Sequence, residues 1–167
     1  FMDNLQTNWA KRHIVDEDRF HYPHGPSLRA NWISLDDVGK VMVHSLERPD
    51  FEGAWMNIGG PERLSPMQVC EILSEASGRT IRYDPATPEG FGQMLAAGLG
   101  DAVPADRKQI FADYIRDFYI YNNSAPTRPF EVNFEFVQSR FPDIRFETMR
   151  EWAARQDWSP GSKGTGE

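Results

Sequence analysis

The chain has 167 residues, 40% apolar and 26% charged, which is the composition of a globular domain long enough to bury its own core. An aromatic content of 13% argues against disorder, the lack of any run near about 18 apolar residues argues against a membrane span, and a single cysteine excludes an internal disulfide. A net charge of −7 argues against a nucleic-acid partner, and the lone cysteine favours a reducing, cytoplasmic compartment.

The first thirty residues predict one helix and one irregular segment. Residues 1–10 favour a helix start, because Leu5 and Trp9 lie one turn apart. Residues 12–29 have no clear period and hold several turn-forming residues, so we expect a surface loop or a short irregular hairpin there. The turn formers are Pro23, Gly25 and Pro26.

Residues after 31 show clearer signals of secondary structure. A short extended run over 31–33 precedes Ser34, a predicted N-cap with Asp37 three residues later. The helix should run over 35–48, and Pro49 lies just past its end. Its predicted buried face comprises Val38, Val41, Met42 and Leu46.

Two strands and a helix are predicted next. The apolar run 54–58 indicates a buried strand, and 80–83 a second one. Between them, Ser65 with Pro66 at the first helical position predicts a helix start, and Gly78 its left-handed end.

The remaining chain is predicted to be mostly helical. Thr87 caps one helix, 105–121 form the longest, and 132–140 and 146–155 form two short ones. The longest helix carries an aromatic stripe, which indicates either core or an exposed patch that a partner would cover. The stripe comprises Phe111, Tyr114, Ile115, Phe118 and Tyr119.

Several segments in this order resemble one family. The run Trp-Ile-Ser-Leu-Asp-Asp-Val over 32–38 is similar to the W-I-S-x-x-D-V segment of NmrA-like proteins, which are atypical short-chain dehydrogenases/reductases that bind NAD(P). The segments 57–62 and 87–89 continue the resemblance, and Phe-Met-Asp-Asn-Leu at 1–5 is similar to the family's F-M-E-N-L. The similarity covers 1–100 well and the rest loosely.

The resemblance implies that the chain corresponds to the C-terminal, substrate-binding half of such a Rossmann protein. We therefore expect an α/β fold of the α+β type, with helices packed around a few short strands. Residues 1–158 would form this portion and 159–167 a flexible tail. No G-x-G-x-x-G is present, so the nucleotide-binding half is expected to be missing, with Phe1 marking the boundary.

Five residues are candidate ligand contacts by resemblance. Phe1 and Asn4 would lie near the nicotinamide; the alternative is a helix start in which Phe1 packs and Asn4 bonds locally. The predicted substrate contacts are His21, Tyr22 and Trp32. No catalytic residue is nominated, because no tyrosine is followed by lysine four residues later.

The histidines could suggest a metal. His13, His21 and His24 lie close in sequence, but Pro23 prevents a helical ligand pair and no third ligand is evident. No metal is expected, and the three are interpreted as residues of a solvated loop.

Two further candidates have simpler structural explanations. Asp36 and Asp37 could transfer protons, but in a first helical turn they more simply complement the helix dipole. Cys70 lies on an apolar helix face, which favours a buried thiol over a nucleophile.

The function that follows from the resemblance is substrate binding in an NAD(P)-dependent oxidoreductase. The parent would transfer hydride between NADP or NAD and a small carbonyl, quinone or similar apolar substrate. The chain alone should hold no cofactor and be inactive; its expected partners are the small-molecule substrate and a second copy or the missing half. The alternatives are a non-catalytic NAD(P) sensor and a stand-alone small-ligand or protein-binding module.

Overall fold

The computed structural model describes residues 1–165, which form helices packed around short strands. The helices are α1 (Asn8–Glu17), α2 (Leu35–Leu46), α3 (Pro66–Ser77), α4 (Pro88–Ala97), α5 (Ala105–Ser124), α6 (Phe134–Arg140) and α7 (Met149–Ala154). The strands are β1 (Arg19–Tyr22), β2 (Ala30–Asn31), β3 (Arg63–Leu64) and β4 (Arg82–Pro85). Short 3-10 helices span Met2–Gln6 and Pro49–Phe51. The predicted α+β class is confirmed. Within this range, no helix combines the length and apolarity that crossing a bilayer requires.

The strands form two small pairs. β1 runs parallel to β4, with Phe20 beside Tyr83 and His21 beside Asp84. β2 runs antiparallel to β3. The loop predicted over 12–29 is therefore wrong in its first part, where α1 continues to Glu17 and β1 follows. The partner that stabilises β1 lies about sixty residues away along the chain, so no local pattern indicates it.

The predicted helix starts are confirmed by their caps. Ser34 Oγ accepts a hydrogen bond from the Asp37 amide at 3.2 Å. Ser65 and Gln68 form a complete capping box, and Gly78 ends α3 at φ 68°. The predicted buried face of α2 is only partly correct: Val41 is buried, but Met42 is exposed and Leu46 is 88% exposed. The helix thus buries one narrow edge.

The strand predicted over 54–58 is absent. This segment has no strand pairing, and Trp55 is 96% exposed. An apolar run forms a strand only where a neighbouring strand takes up its backbone hydrogen bonds, and none in the described chain lies beside it.

Two hydrophobic clusters stabilise the fold. The main cluster joins the 3-10 helix Met2–Gln6, the β1–β4 pair, α3 and α7. The second comprises Ile33, Val41, Val137, Phe141, Ile144 and Phe146. The fully buried Asp37 anchors α2 to the segment before α7, because its Oδ2 accepts from the Glu147 amide at 2.8 Å and its Oδ1 lies 2.6 Å from Lys40 Nζ. The structural interpretation of Asp37 fits this geometry.

The C-terminal segment lies against the N-terminal part of the chain. Thr165 forms an isolated parallel bridge with Thr7, and its amide donates to the Gln6 carbonyl at 2.7 Å. The Gly161 amide bonds Asp16. That residues 159–167 form a flexible tail stays a prediction, and its last two residues lie outside the described range.

Candidate functional site

A cavity of about 300 Å³ opens beside the main cluster. This volume is at the lower end of the range of small-molecule sites. Its walls are mostly aromatic, and they come from the N-terminal 3-10 helix, the segment 22–33, α5 and the connector after α5. The lining residues are Phe1, Asn4, Tyr22, His24, Ala30, Asn31, Trp32, Ile33, Phe118, Tyr119 and Phe130.

The structure brings four of the five predicted contacts to this cavity: Phe1, Asn4, Tyr22 and Trp32 all line it. His21 does not. Successive residues of β1 point to opposite faces, so Tyr22 faces the cavity while His21 bonds Asp84 at 2.8 Å on the other face. That any of these residues contacts a ligand stays a prediction.

The 3-10 helix Met2–Gln6 is held by hydrogen bonds to residues 33 and 35. The Met2 amide donates to the Ile33 carbonyl at 3.0 Å, and Asp3 Oδ2 accepts from the Leu35 amide at 2.8 Å. These bonds hold Asn4 at the wall of the cavity, which Tyr22 also lines. Phe1 remains half exposed at the rim.

The segment that follows β1 is held from two sides. Tyr83 Oη on β4 donates to the backbone carbonyl of His24. From α5, Asn123 Nδ2 donates to the Pro23 carbonyl and Asn123 Oδ1 accepts from the Gly25 amide, both at 2.8 Å. The backbone that carries His24 is therefore fixed by elements distant in sequence.

His24 also lines the cavity, although the sequence predicts it on a solvated loop and not as a ligand contact. Its ring lies among aromatic rings and the residue is 7% exposed. The ring centroids of Tyr22 and Phe130 lie 4.8 and 5.2 Å away. Burial lowers the pKa of His24 to about 3, so the imidazole is neutral at neutral pH. Its place two residues after Tyr22, in phase with the buried face of β1, is the signal that could have found it.

The two tyrosines of the cavity are protonated at neutral pH. Tyr119 Oη donates to Tyr22 Oη at 3.4 Å. Burial raises the pKa of Tyr22 and that of Tyr119 above the usual value. With His24 neutral as well, the cavity suits a neutral, flat molecule and presents hydrogen-bonding groups rather than an ionised acid or base.

Two further hollows border this cavity. One of about 220 Å³ shares Asn4, Tyr22, Phe118 and Tyr119 with it and extends towards α4. The other, of about 360 Å³, lies beyond Phe130 and is more polar. Its Glu131 is paired with Arg63 at 2.7 Å, which is a surface contact rather than a reactive arrangement.

The cavity rim fits one end of a dinucleotide. The exposed Phe1 ring and the Asn4 amide offer a flat surface and a hydrogen-bonding group suited to nicotinamide. The pyrophosphate would need a glycine-rich turn at a helix N-terminus, and the sequence contains no such motif. The fit is therefore limited to the nicotinamide end.

The three histidines do not converge. His13 bonds Glu17 at 2.8 Å, His21 bonds Asp84 and His24 lines the cavity. Among residues 1–165, no group of three potential metal-binding side chains forms. The prediction of a solvated loop is wrong for His13 and His24, which are buried by α1 packing and by the aromatic walls.

The other candidates have structural partners. Asp36 lies 2.9 Å from Arg155 on the surface. Cys70 is buried, and burial followed by the charge of Glu71 raises the pKa of its thiol to about 12. Both arrangements agree with the structural explanations given above.

Fold and site together define a class: a mixed helix and short-strand fold with a cavity lined by aromatic residues. Over 93% of the chain, this fold is similar to 49% of a nucleoside-diphosphate-sugar epimerase from Staphylococcus aureus, with a TM-score of 0.69 and 21% identity. No protein-family profile matches the chain.

Two curated proteins are similar to the chain in sequence. The chain is 28% identical over 144 residues to an NAD(P)H azoreductase from Xenophilus azovorans, covering 83% of this chain and 49% of the relative. It is 31% identical over 106 residues to festuclavine synthase II from Penicillium roqueforti, covering 64% and 36%. The chain thus spans half or less of the relatives it matches.

Proposed function

We propose that the chain forms the substrate-binding part of an NmrA-like, NAD(P)-dependent oxidoreductase that acts on small aromatic or quinone-like substrates. The observation that carries the proposal is the aromatic cavity, where four residues singled out by resemblance meet. The similarity to an NAD(P)H azoreductase supports the reductase class.

In this function the chain binds and orients the substrate. NAD(P)H, when bound, supplies the hydride. Phe1 and Asn4 would contact the nicotinamide, while Tyr22, Trp32 and Phe118 would form walls that exclude water and hold a flat substrate beside it. The chain alone, lacking a pyrophosphate-binding turn, would not turn over.

The test combines upstream sequence with a kinetic assay. We expect the gene to encode a glycine-rich strand-turn-helix before Phe1. The product of the complete reading frame should oxidise NADPH with members of a panel of quinones and aromatic aldehydes, followed at 340 nm. Tight NADP(H) binding by the 167-residue chain alone, or an upstream sequence without that element, would contradict the proposal.

A matched pair of variants ties turnover to the cavity. Phe118→Ala removes a ring that lines the cavity, and Ile120→Ala removes an exposed side chain from the same helix outside it. We expect Phe118→Ala to raise the KM for the quinone or aldehyde about 3- to 10-fold and Ile120→Ala to leave that KM unchanged. Equal KM values for both variants would argue against the cavity as the substrate site.

A second candidate function is a non-catalytic NAD(P) sensor. The absence of any ionised group among the cavity side chains described above favours it, because no acid or base is poised for proton transfer. Tight NADP(H) binding by the complete protein without turnover of any substrate in the panel would select this function.

A further inference from the structure

His24 is a largely buried residue whose imidazole faces the cavity and makes no hydrogen bond to the described part of the protein. The residue is more than nine-tenths buried and lines the cavity. Within residues 1–165, neither ring nitrogen is hydrogen-bonded to another group, and only the backbone carbonyl of His24 is bonded, by Tyr83. An imidazole that is held among aromatic rings, makes no hydrogen bond within the described chain and faces a cavity is available to bond a ligand there.

Two other polar residues of the cavity, Asn31 and Tyr119, already have protein partners. Asn31 Nδ2 donates to the Gly60 carbonyl at 3.0 Å, and Asn31 Oδ1 accepts from the Val132 amide at 2.9 Å. Tyr119 donates to Tyr22. Hence the N–H of the neutral His24 ring is a donor at the cavity that lacks a protein acceptor.

The rings around His24 restrict the shape of that ligand. The centroids of Trp32 and Tyr119 lie 5.6 and 5.9 Å from its ring, in addition to the closer Tyr22 and Phe130. Such walls favour a flat, apolar body, since aromatic rings gain most from stacked or edge contacts. The volume of about 300 Å³ accommodates two fused rings.

We propose that the cavity selects planar aromatic ligands that carry a ring carbonyl, and that His24 recognises them by donating a hydrogen bond to the carbonyl oxygen. This inference rests on the proposed function and narrows its substrate class. His24 acts here as a specificity-determining residue, because an analogue without the oxygen leaves its N–H unpaired.

The test compares two probes that differ by that oxygen, 1-indanone and indane, by calorimetric titration of the chain. We expect the wild-type chain to bind 1-indanone more tightly than indane. His24→Phe, which keeps a ring without polar atoms, should lower the affinity for 1-indanone about 3- to 10-fold and leave that for indane unchanged. His24→Gln, which keeps a donor, should retain most of the preference.

His44→Phe is the matched control. His44 lies on α2, bonds the Lys40 carbonyl at 3.1 Å and does not line the cavity, so both affinities should stay at wild-type values. Imidazole ¹⁵N spectra give a second readout that a purely structural role would not change. The His24 signals, assigned by their loss in His24→Gln, should shift with 1-indanone and much less with indane.

Unchanged discrimination in a folded His24→Phe variant, or no binding of 1-indanone by the wild-type chain, would overturn the inference. The outcome is separable from that of the proposed function, because the titration uses no NADPH. If 1-indanone binding depends on His24 but the complete protein turns over no substrate, only the oxidoreductase proposal is contradicted. If the complete protein turns over substrate equally well with His24→Phe, only the inference about His24 is contradicted.

Discussion

The thiol of Cys70 lies within the main hydrophobic cluster, and the residue is 3% exposed. Alkylation requires the thiolate, and burial raises the pKa of this thiol to about 12. At pH 8 we expect iodoacetamide to modify the folded chain roughly a hundredfold or more slowly than the urea-unfolded chain. Mass spectrometry of quenched samples gives both rates, and similar rates would contradict the burial of Cys70.

Sequence reasoning reached part of the cavity, and the limit lies between neighbouring residues. Tyr22 and His21 were predicted together, but the alternation along β1 sends them to opposite faces. Because residues 12–29 are predicted as a loop or irregular hairpin, the sequence does not indicate this alternation or the burial of His24. Tyr119 was recognised as part of a helical stripe, but its meeting with Tyr22 depends on the packing of α5, which no local pattern encodes.

At the scale of elements, α4 and α5 pack closely at Gly92. A Cβ at this position would lie 2.4 Å from the Ala112 carbonyl oxygen. Gly92→Ala should therefore push the two helices apart and lower the free energy of unfolding by about 1–3 kcal/mol. Urea denaturation followed by circular dichroism measures the change.

The control is a second glycine inside a helix. A Cβ at Gly39 in α2 would meet nothing within 4 Å, so Gly39→Ala should raise the free energy of unfolding by about 0.5–1 kcal/mol through its helix propensity. Unchanged stability of Gly92→Ala would show that the contact between α4 and α5 is looser than the structure has it, and an equal loss in Gly39→Ala would show that the effect is not specific to this contact.

Elements with local signals were predictable, and elements without them were not. The caps at Ser34, Ser65 and Thr87 each bond an amide three residues ahead, so the information lies in one short segment. The false strand at 54–58 and the missed β1 share the opposite cause. Whether a short extended segment pairs depends on another segment far along the chain.

At the scale of the whole molecule, the two ends of the described chain meet at the Thr7–Thr165 bridge. Gly164 makes this approach possible, because a Cβ there would lie 2.5 Å from the Asn8 amide nitrogen. Gly164→Ala should open the bridge and speed hydrogen exchange at the Thr165 amide about tenfold, since its bond to the Gln6 carbonyl would be lost.

Lys163→Ala is the control for this change. Lys163 is exposed, and only its backbone carbonyl is bonded, by Lys11 Nζ at 3.2 Å, so removal of its side chain should leave exchange at Thr165 unaltered. Fast exchange at Thr165 in the wild-type chain would show that the bridge opens readily without any substitution.

The two-faced geometry of β1 bears on how this protein can diverge. One face of the strand contributes Tyr22 to the cavity, and the other holds Arg19 and His21 against Asp84. Point substitutions can alter either face independently. A codon inserted or deleted within 19–22 would exchange the two faces at once, placing charged side chains in the cavity and aromatic ones in solvent. A substitution on one face of β1 therefore leaves the other face in place, whereas a change in the length of the strand alters both faces together.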